Sequence, residues 1–130
     1  MELENSTNEN LQKSMACQNE CAVHEMHLND RPFQSVKSGN KTIEMRLYDE
    51  KRRKIKKGDI IIFKNNDQRL QAKVINLHFF DSFDLLYSAF DKQKIGYDKN
   101  EPAKPSDMLE YYSKEDQQKY GVVGIEIELI

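Results

Sequence analysis

The sequence GNKTIEMR at residues 39–46 predicts a turn followed by a strand that carries several charges. After Gly39, apolar and polar residues alternate through Tyr48, which is typical of a strand with one buried face. Glu44 and Arg46 share the polar face, about 7 Å apart at their backbones on ordinary strand geometry. The apolar face consists of Ile43, Met45 and Leu47, and the polar face also includes Thr42. The pattern alone therefore favours an ion pair between Glu44 and Arg46 on a solvated sheet surface.

The same two charges, together with Lys41, are also a candidate site. An ammonium, a carboxylate and a guanidinium at one strand mouth can bind an anion or hold the planar edge of an amide. They can also supply an acid and a base, with Lys41 and Glu44 as the candidate catalytic pair. Lys41 has the opposite strand parity, but it lies at the helix-to-strand turn, which leaves its direction open. The residues alone are compatible with both interpretations.

Short elements on both sides of this strand predict the fold class. Residues 24–28 alternate as a strand, and residues 29–39 have the cap, the early Pro32 and the final Gly39 of a compact helix. The sequence then predicts a buried strand at 60–63, a hairpin turn at 65–67, a long bulged strand at 69–80, a helix after residue 81 or 82, a loop at 91–105, one or two helices within 106–120, and a closing strand at 122–130. This order predicts an α+β fold, a small and mainly antiparallel β-barrel with flanking short helices. We expect residues 23–130 to form this one domain and residues 1–22 to be a disordered N-terminal arm.

The composition predicts a cytoplasmic protein with an anionic partner. No apolar run approaches the roughly 18 residues that span a bilayer, and the start of the chain lacks the features of a signal peptide. The formal net charge is only -2, yet residues 31–73 carry thirteen basic and five acidic residues. A basic middle third in an acidic chain predicts a positive face for a partner such as RNA or a nucleotide, and no membrane partner.

The run KRRKIKK at residues 51–57 is a candidate phosphate-binding segment. The alternative is a solvated loop that keeps a sheet edge from pairing. Tyr48, just before it, could stack a base, and the long loop at 91–105 could act as a lid. The candidate binding residues are Lys37, Lys41, Thr42, Glu44, Arg46, Tyr48, Arg52 and Arg53, and Tyr111, Tyr112 and Tyr120 are candidates for lining a pocket.

Cys17, Cys21, His24 and His27 follow the pattern C-x3-C-x2-H-x2-H. These are zinc-ligand types, but their spacing matches no common structural zinc site. We therefore predict two reduced thiols in a flexible arm and two histidines entering the first strand, with no metal and no other cofactor.

From Pro32 to Asp59 the pattern PF-x-x-V-K-x-G-x-K-T-I-E-x-R-L-Y-D-E-K-R-x-x-I-K-x-G-D resembles the ASCH domain. This domain is a small β-barrel related to the PUA fold and associated with RNA metabolism and transcription coactivators. The resemblance continues to the closing GVVGIEIEL and covers about 24–130, as in a small, bacterial-type, single-domain member. Its core G-x-K-x-x-E-x-R corresponds to Gly39, Lys41, Glu44 and Arg46.

The resemblance implies a cleft that binds RNA, a nucleotide or a modified nucleoside, with Lys41, Glu44 and Arg46 on its wall. Related ASCH-like bacterial enzymes hydrolyse N4-acetylcytidine with a lysine, a threonine and a glutamate. The lysine is similar to Lys41, but Glu44 stands where the threonine is expected. Some ASCH proteins are reported as ribonucleases. We therefore predict binding ahead of hydrolysis of a modified nucleoside or RNA, and a protein-interaction module is the third alternative.

Overall fold

The computed structural model describes residues 21–130, which form one five-stranded sheet flanked by short helices. The strands are β1 (Val23–His27), β2 (Ile43–Leu47), β3 (Ile60–Asn65), β4 (Gln68–Phe80) and β5 (Val122–Leu129). The α-helices are α1 (Asp30–Ser38), α2 (Phe83–Ala89) and α3 (Lys114–Tyr120), with short 3-10 helices at Arg52–Lys54 and Pro105–Glu110. The predicted disordered arm at 1–22 lies outside the described residues except for its last two.

The sheet has the strand order β1-β3-β4-β5-β2. β1 pairs with β3 in parallel, and the other three pairings are antiparallel. The sheet curls into a half-barrel whose two edges, β1 and β2, are linked by α1 in the chain. The prediction of an α+β, mainly antiparallel barrel with flanking short helices is therefore confirmed.

Local sequence signals determine where helix α1 begins and ends, and this helix connects the edge strands β1 and β2. Asn29 occupies the N-cap in an extended conformation, and Phe33 and Val36 bury the apolar side of the helix. The helix ends at Gly39, whose φ of 88° is left-handed and whose N–H donates to the carbonyl of Val36. A residue without Cβ adopts this conformation readily, so Gly39 fixes where β2 begins.

The long strand β4 changes its inward-facing parity, as the sequence predicts. Its register against β5 shifts between Val74 and Asn76, which is the signature of a bulge. Before the bulge, Ala72 and Val74 are buried, and beyond it Leu77 packs on the same core. The extra residue therefore lets one strand bury apolar side chains along its whole length.

Apolar residues are buried on both faces of the sheet near β2. One core lies inside the half-barrel and includes Phe33, Phe63, Val123 and Ile125. The second core lies under α2 and the second 3-10 helix and includes Ile43, Leu47, Phe83, Leu86, Ile95, Met108 and Val122. Because alternate residues of β2 face opposite sides, its apolar residues join the second core and its polar residues face the half-barrel.

His24, the first of the two histidines in β1, is paired with a buried carboxylate. His24 Nε2 lies 2.8 Å from Oδ2 of the buried Asp59, which also accepts from the main-chain N–H groups of Ala22 and Lys56. Burial raises the pKa of Asp59, but these hydrogen bonds outweigh it and leave that pKa lowered. Within residues 21–130, no three potential metal ligands cluster. Cys17 lies outside the described residues, and Cys21 is disulfide-bonded, so the prediction of a reduced thiol at Cys21 is wrong.

Across the described part of the chain, no helix is long and apolar enough to cross a membrane.

Candidate functional site

Lys41, Glu44 and Arg46 meet in a buried ionic triad. Glu44 lies between the two cations, with Oε1 2.8 Å from Lys41 Nζ and Oε2 2.7 Å from Arg46 Nε. The side-chain exposures of Lys41, Glu44 and Arg46 are 9%, 4% and 15%. The Glu44–Arg46 pair that the strand pattern predicts is present, but the predicted solvated surface is wrong because the half-barrel covers the pair. Lys41 joins it because it lies just before β2, where strand parity does not fix its direction.

The triad keeps Glu44 ionised. Burial by itself would raise the pKa of Glu44, but the charges and hydrogen-bonding groups of Lys41 and Arg46 lower it below its ordinary value. Burial also opposes the charge of Arg46, and Glu44 and Tyr112 outweigh this and raise the pKa of its guanidinium. Glu44 Oε1 has the Lys41 ammonium close by, yet it makes no well-aligned hydrogen bond. The 2.8 Å distance identifies an ion pair in which Glu44 Oε1 keeps spare accepting capacity.

The triad forms one wall of a cavity of about 470 Å³, which lies at the free edge of β2. This volume is within the range of small-molecule sites and can accommodate a nucleobase with part of its sugar. The start of α1 and the ends of β1 form a second side, and residues 95–112 form the third. The ionisable side chains on the wall, apart from His27 and the tyrosines, are Arg31, Lys41, Glu44, Arg46, Glu101, Asp107 and Glu110. The wall thus carries three cations and four carboxylates, and this balance of charge disfavours a phosphate group inside the cavity.

Another part of the cavity wall carries a chain of hydroxyl groups that ends on a carboxylate. The Tyr97 hydroxyl donates to Asp107 Oδ2 at 2.8 Å and lies 2.7 Å from the Tyr87 hydroxyl. Since the single proton of Tyr97 goes to Asp107, Tyr87 must donate to Tyr97. Burial and these hydrogen bonds raise the pKa of Tyr97, so the chain stays protonated. This side of the cavity therefore presents acceptors, whereas the triad side presents donors.

Residues 90–104, between α2 and the second 3-10 helix, contribute part of the cavity wall. The carbonyl of Lys94 accepts from the N–H groups of both Thr42 and Ile43, which fixes this segment to the edge of β2. Gly96, at φ 111°, lies against Lys41: a Cβ built there would be 3.2 Å from Lys41 Cδ. Farther along, Glu101 pairs with Arg31 at the start of α1. The loop predicted at 91–105 is present, and its role as a lid stays a prediction.

The other predicted binding residues lie outside the cavity. The Arg53 guanidinium lies 4.3 Å from the centroid of the Tyr48 ring, which is 4.8 Å from the ring of Phe79. Arg52 is only 15% exposed and pairs with Asp49 at 3.1 Å. Lys37 is exposed in the last turn of α1, and Thr42 is held through its main chain by Lys94 and Ile127. We refer to Tyr48, Arg53, Phe79 and the exposed lysines of residues 51–57 as the basic patch.

The cavity and the basic patch are connected along β2. Glu44, Arg46 and Tyr48 alternate on the same face, so their backbones are spaced about 7 Å apart. The row that contains Arg46 continues across the sheet through Val123 to Phe79. A chain-like ligand could therefore contact both regions without leaving this face.

The sequence indicated the charged side of the cavity but not its opposite wall. Tyr111 and Tyr112 line the cavity as predicted candidates, whereas Tyr120 does not. The prediction did not include Arg31, Tyr87, Tyr97, Asp107 or Gly96. Gly96 carried a signal as an isolated glycine in a long loop, but only the folded chain brings it against Lys41.

A curled five-stranded sheet with a cavity beside one edge strand defines a small α+β half-barrel domain of the PUA-like class. The family model of the ASCH domain matches residues 26–130. The chain therefore belongs to the ASCH domain family.

Two solved structures share this fold. The crystal structure of the hypothetical protein PH0355 is 37% identical, with a TM-score of 0.72, and the match covers 83% of this chain and 99% of that one. The solution NMR structure of protein PF0455 from Pyrococcus furiosus is 33% identical, with a TM-score of 0.68, covering 83% and 97%. Among curated proteins, no match was found.

Proposed function

We propose that this protein binds single-stranded RNA or a nucleotide in the cytoplasm, with one base in the cavity and the phosphate backbone over the basic patch. The observation that carries this proposal is the buried triad on the cavity wall. Lys41 and Arg46 are both committed to Glu44 at 2.8 and 2.7 Å, so the triad has one net positive charge and fixed donor directions. Preorganised donors suit a planar, polar and uncharged group.

The distribution of charge supports separate places for base and phosphate. Four carboxylates against three cations on the cavity wall oppose an anion inside. Lys51, Arg53, Lys54, Lys56 and Lys57 are exposed outside it, in the segment where the sequence predicts phosphate contacts. Phosphate contacts position a nucleic acid, whereas contacts to the base supply recognition. Tyr48 and Phe79 add aromatic surface between the two regions.

Removing charge from the basic patch is expected to reduce the salt dependence of RNA binding. Each phosphate contact with single-stranded nucleic acid contributes a slope of about 0.7 in log K against log salt. The double variant K56Q/K57Q should therefore reduce the slope by about 1.4 and weaken binding to hexaribonucleotides of every sequence. Fluorescence anisotropy at several salt concentrations measures both effects.

The variant K99Q/K114Q is the matched control, since it removes two exposed lysines away from the patch. It should leave the slope close to that of the wild type. Equal slopes for the two double variants would place the RNA elsewhere, and no wild-type binding at low salt would rule out the proposal.

Hydrolysis of a modified nucleoside is not favoured by this geometry. Glu44 has a lowered pKa and is therefore a weak base, and Lys41 Nζ is committed to the ion pair with Glu44. Thr42, the hydroxyl nearest in sequence, does not line the cavity. We expect no cytidine when the purified protein is incubated with N4-acetylcytidine and the products are separated by chromatography. Release of cytidine that disappears in the Lys41→Ala variant would instead establish an amidohydrolase.

The ribonuclease and protein-interaction alternatives predict different experimental results. If the protein binds RNA without cleaving it, gel electrophoresis after the binding experiments should show RNA of full length, whereas shortened RNA would favour a ribonuclease. A protein partner that stays bound after nuclease treatment and at high salt would favour an interaction module.

A further inference from the structure

The main chain of β2 alternates between its partner strand and its free edge. The Ile127 N–H donates to the carbonyl of Thr42, and the Tyr48 N–H donates to the carbonyl of Gly121. Extending the β2–β5 register by one pair at each end places the residues of both bonds directly opposite each other. In an antiparallel pair, such hydrogen-bonded positions alternate with positions whose N–H and C=O point away. The even-numbered residues of β2 therefore bond to β5, and Ile43, Met45 and Leu47 point their main-chain groups outward.

One of these outward positions is already covered, and one opens into the cavity. The Ile43 N–H donates to the carbonyl of Lys94, so this outward position is covered by the segment after α2. Met45 lines the cavity, and by this alternation its N–H and C=O point away from β5 at the free edge of the sheet. Main-chain polar groups at partly buried positions are nearly always hydrogen-bonded, to protein, water or a ligand. Met45 thus presents an adjacent donor and acceptor toward the cavity.

We infer that the main-chain N–H and C=O of Met45 form a recognition element for the hydrogen-bonding edge of a nucleobase. This inference rests on the proposed function and specifies how the base is held in the same cavity. Each of the four RNA bases has an edge with a donor next to an acceptor, which matches the two groups of one outward strand residue. A phosphate has no donor for the Met45 carbonyl, and the ribose 2′-hydroxyl is a single group without an adjacent partner in the same plane, so this pair favours a base.

A peptide strand added to the edge of β2 is the competing occupant of these groups. Strand addition needs outward groups at alternate residues along a free edge. Here Lys94 covers Ile43, and Leu47 does not line the cavity, so only Met45 is available there. One residue's donor and acceptor suit a base better than a strand.

The variant Met45→Pro tests the inference, because proline removes the outward N–H and leaves the bonds to β5 intact. Proline is tolerated in edge strands where its nitrogen faces away from the sheet. Met45→Ala is the matched control, since it shortens the side chain and keeps the N–H. We expect Met45→Pro to bind a hexaribonucleotide roughly tenfold more weakly than Met45→Ala does, as for a lost hydrogen bond in a buried site. The probes are four hexaribonucleotides, one of each base, and an abasic hexamer of the same length.

A second measurement on the wild type keeps the test independent of how Met45→Pro folds. In ¹⁵N–¹H NMR titrations, the Met45 amide should move with at least one of the four hexamers and stay in place with the abasic one. If the hexamers shift amides of the basic patch while the Met45 amide stays unchanged, the inference is wrong and the proposed function stands. If the wild type binds none of them, both fail. An added peptide strand would show its own signature, with Leu47 protected from hydrogen exchange together with Met45.

Discussion

Replacing Glu44 by glutamine is expected to lower the free energy of unfolding by about 3 to 5 kcal/mol, a large share of the stability of a small domain. The substitution keeps the size of the side chain and removes its charge. Lys41 and Arg46 would then remain buried beside each other with no compensating carboxylate. Urea unfolding of the wild type and Glu44→Gln, followed by circular dichroism, measures the difference.

Glu101→Gln is the matched control for this experiment. It makes the same chemical change in an ion pair with Arg31 that lies at the surface. Exposed pairs contribute little, so we expect no resolvable change in the midpoint of unfolding. A loss below about 1 kcal/mol in Glu44→Gln would mean that water reaches the triad and screens its charges.

The pH dependence of the free energy of unfolding tests the same ion pairs, and the lowered pKa of Glu44 determines the direction of that dependence. The pKa of Glu44 is lower in the folded state than its ordinary value of 4.5. Its ionisation therefore adds stability above pH 4.5, and this contribution is lost as the pH falls toward the folded pKa. The difference between wild type and Glu44→Gln should be constant near neutral pH and shrink on acidification below 4.5. Asp59 titrates in both proteins and cancels in the difference.

Replacing Gly96 by alanine is expected to cost about 1 to 3 kcal/mol of stability and to displace Lys41. At φ 111° a Cβ is strained, and it would lie 3.2 Å from Lys41 Cδ. Gly58→Ala is the matched control, because Gly58 has a similar φ of 95° but no atom within 4 Å of a built Cβ. Both variants should lose stability through the strained backbone.

Only Gly96→Ala should move the NMR signals of the Lys41 side chain, measured at its ¹³Cε position. The expected result is a distinct Lys41 shift in Gly96→Ala and a wild-type shift in Gly58→Ala. Identical Lys41 shifts in all three proteins would show that the segment around Gly96 does not position this lysine.

The sequence was sufficient for elements whose signals are local. The cap of α1, the left-handed Gly39, the bulge in β4 and the alternation of β2 all depend on neighbouring residues. The alternation also placed Glu44 and Arg46 on one face. It could not say what covers that face, because covering depends on segments far along the chain.

The remaining parts of the site depend on contacts between distant residues. Tyr97 and Asp107 become a cavity wall because Lys94 is fixed to the main chain at the start of β2. Strand parity gave no direction for Lys41, which lies outside β2. The outward groups of Met45 follow from the β5 register, which is itself a long-range pairing. None of these contacts produces a periodic pattern in the sequence, so none could be predicted from it.

The guanidinium of Arg46 joins two functions in one side chain. It pairs with Glu44 on the cavity wall, and its Nη2 donates to the carbonyl of His27 at 3.3 Å, which links β2 to the end of β1. Any ligand that engages Arg46 therefore also supports the contact between the open edges of the half-barrel. By mass action, a ligand at one hundred times its Kd would add about 2.7 kcal/mol to the folded state. The melting temperature of the protein can thus report which compounds occupy the cavity, without an assay for what the protein does with them.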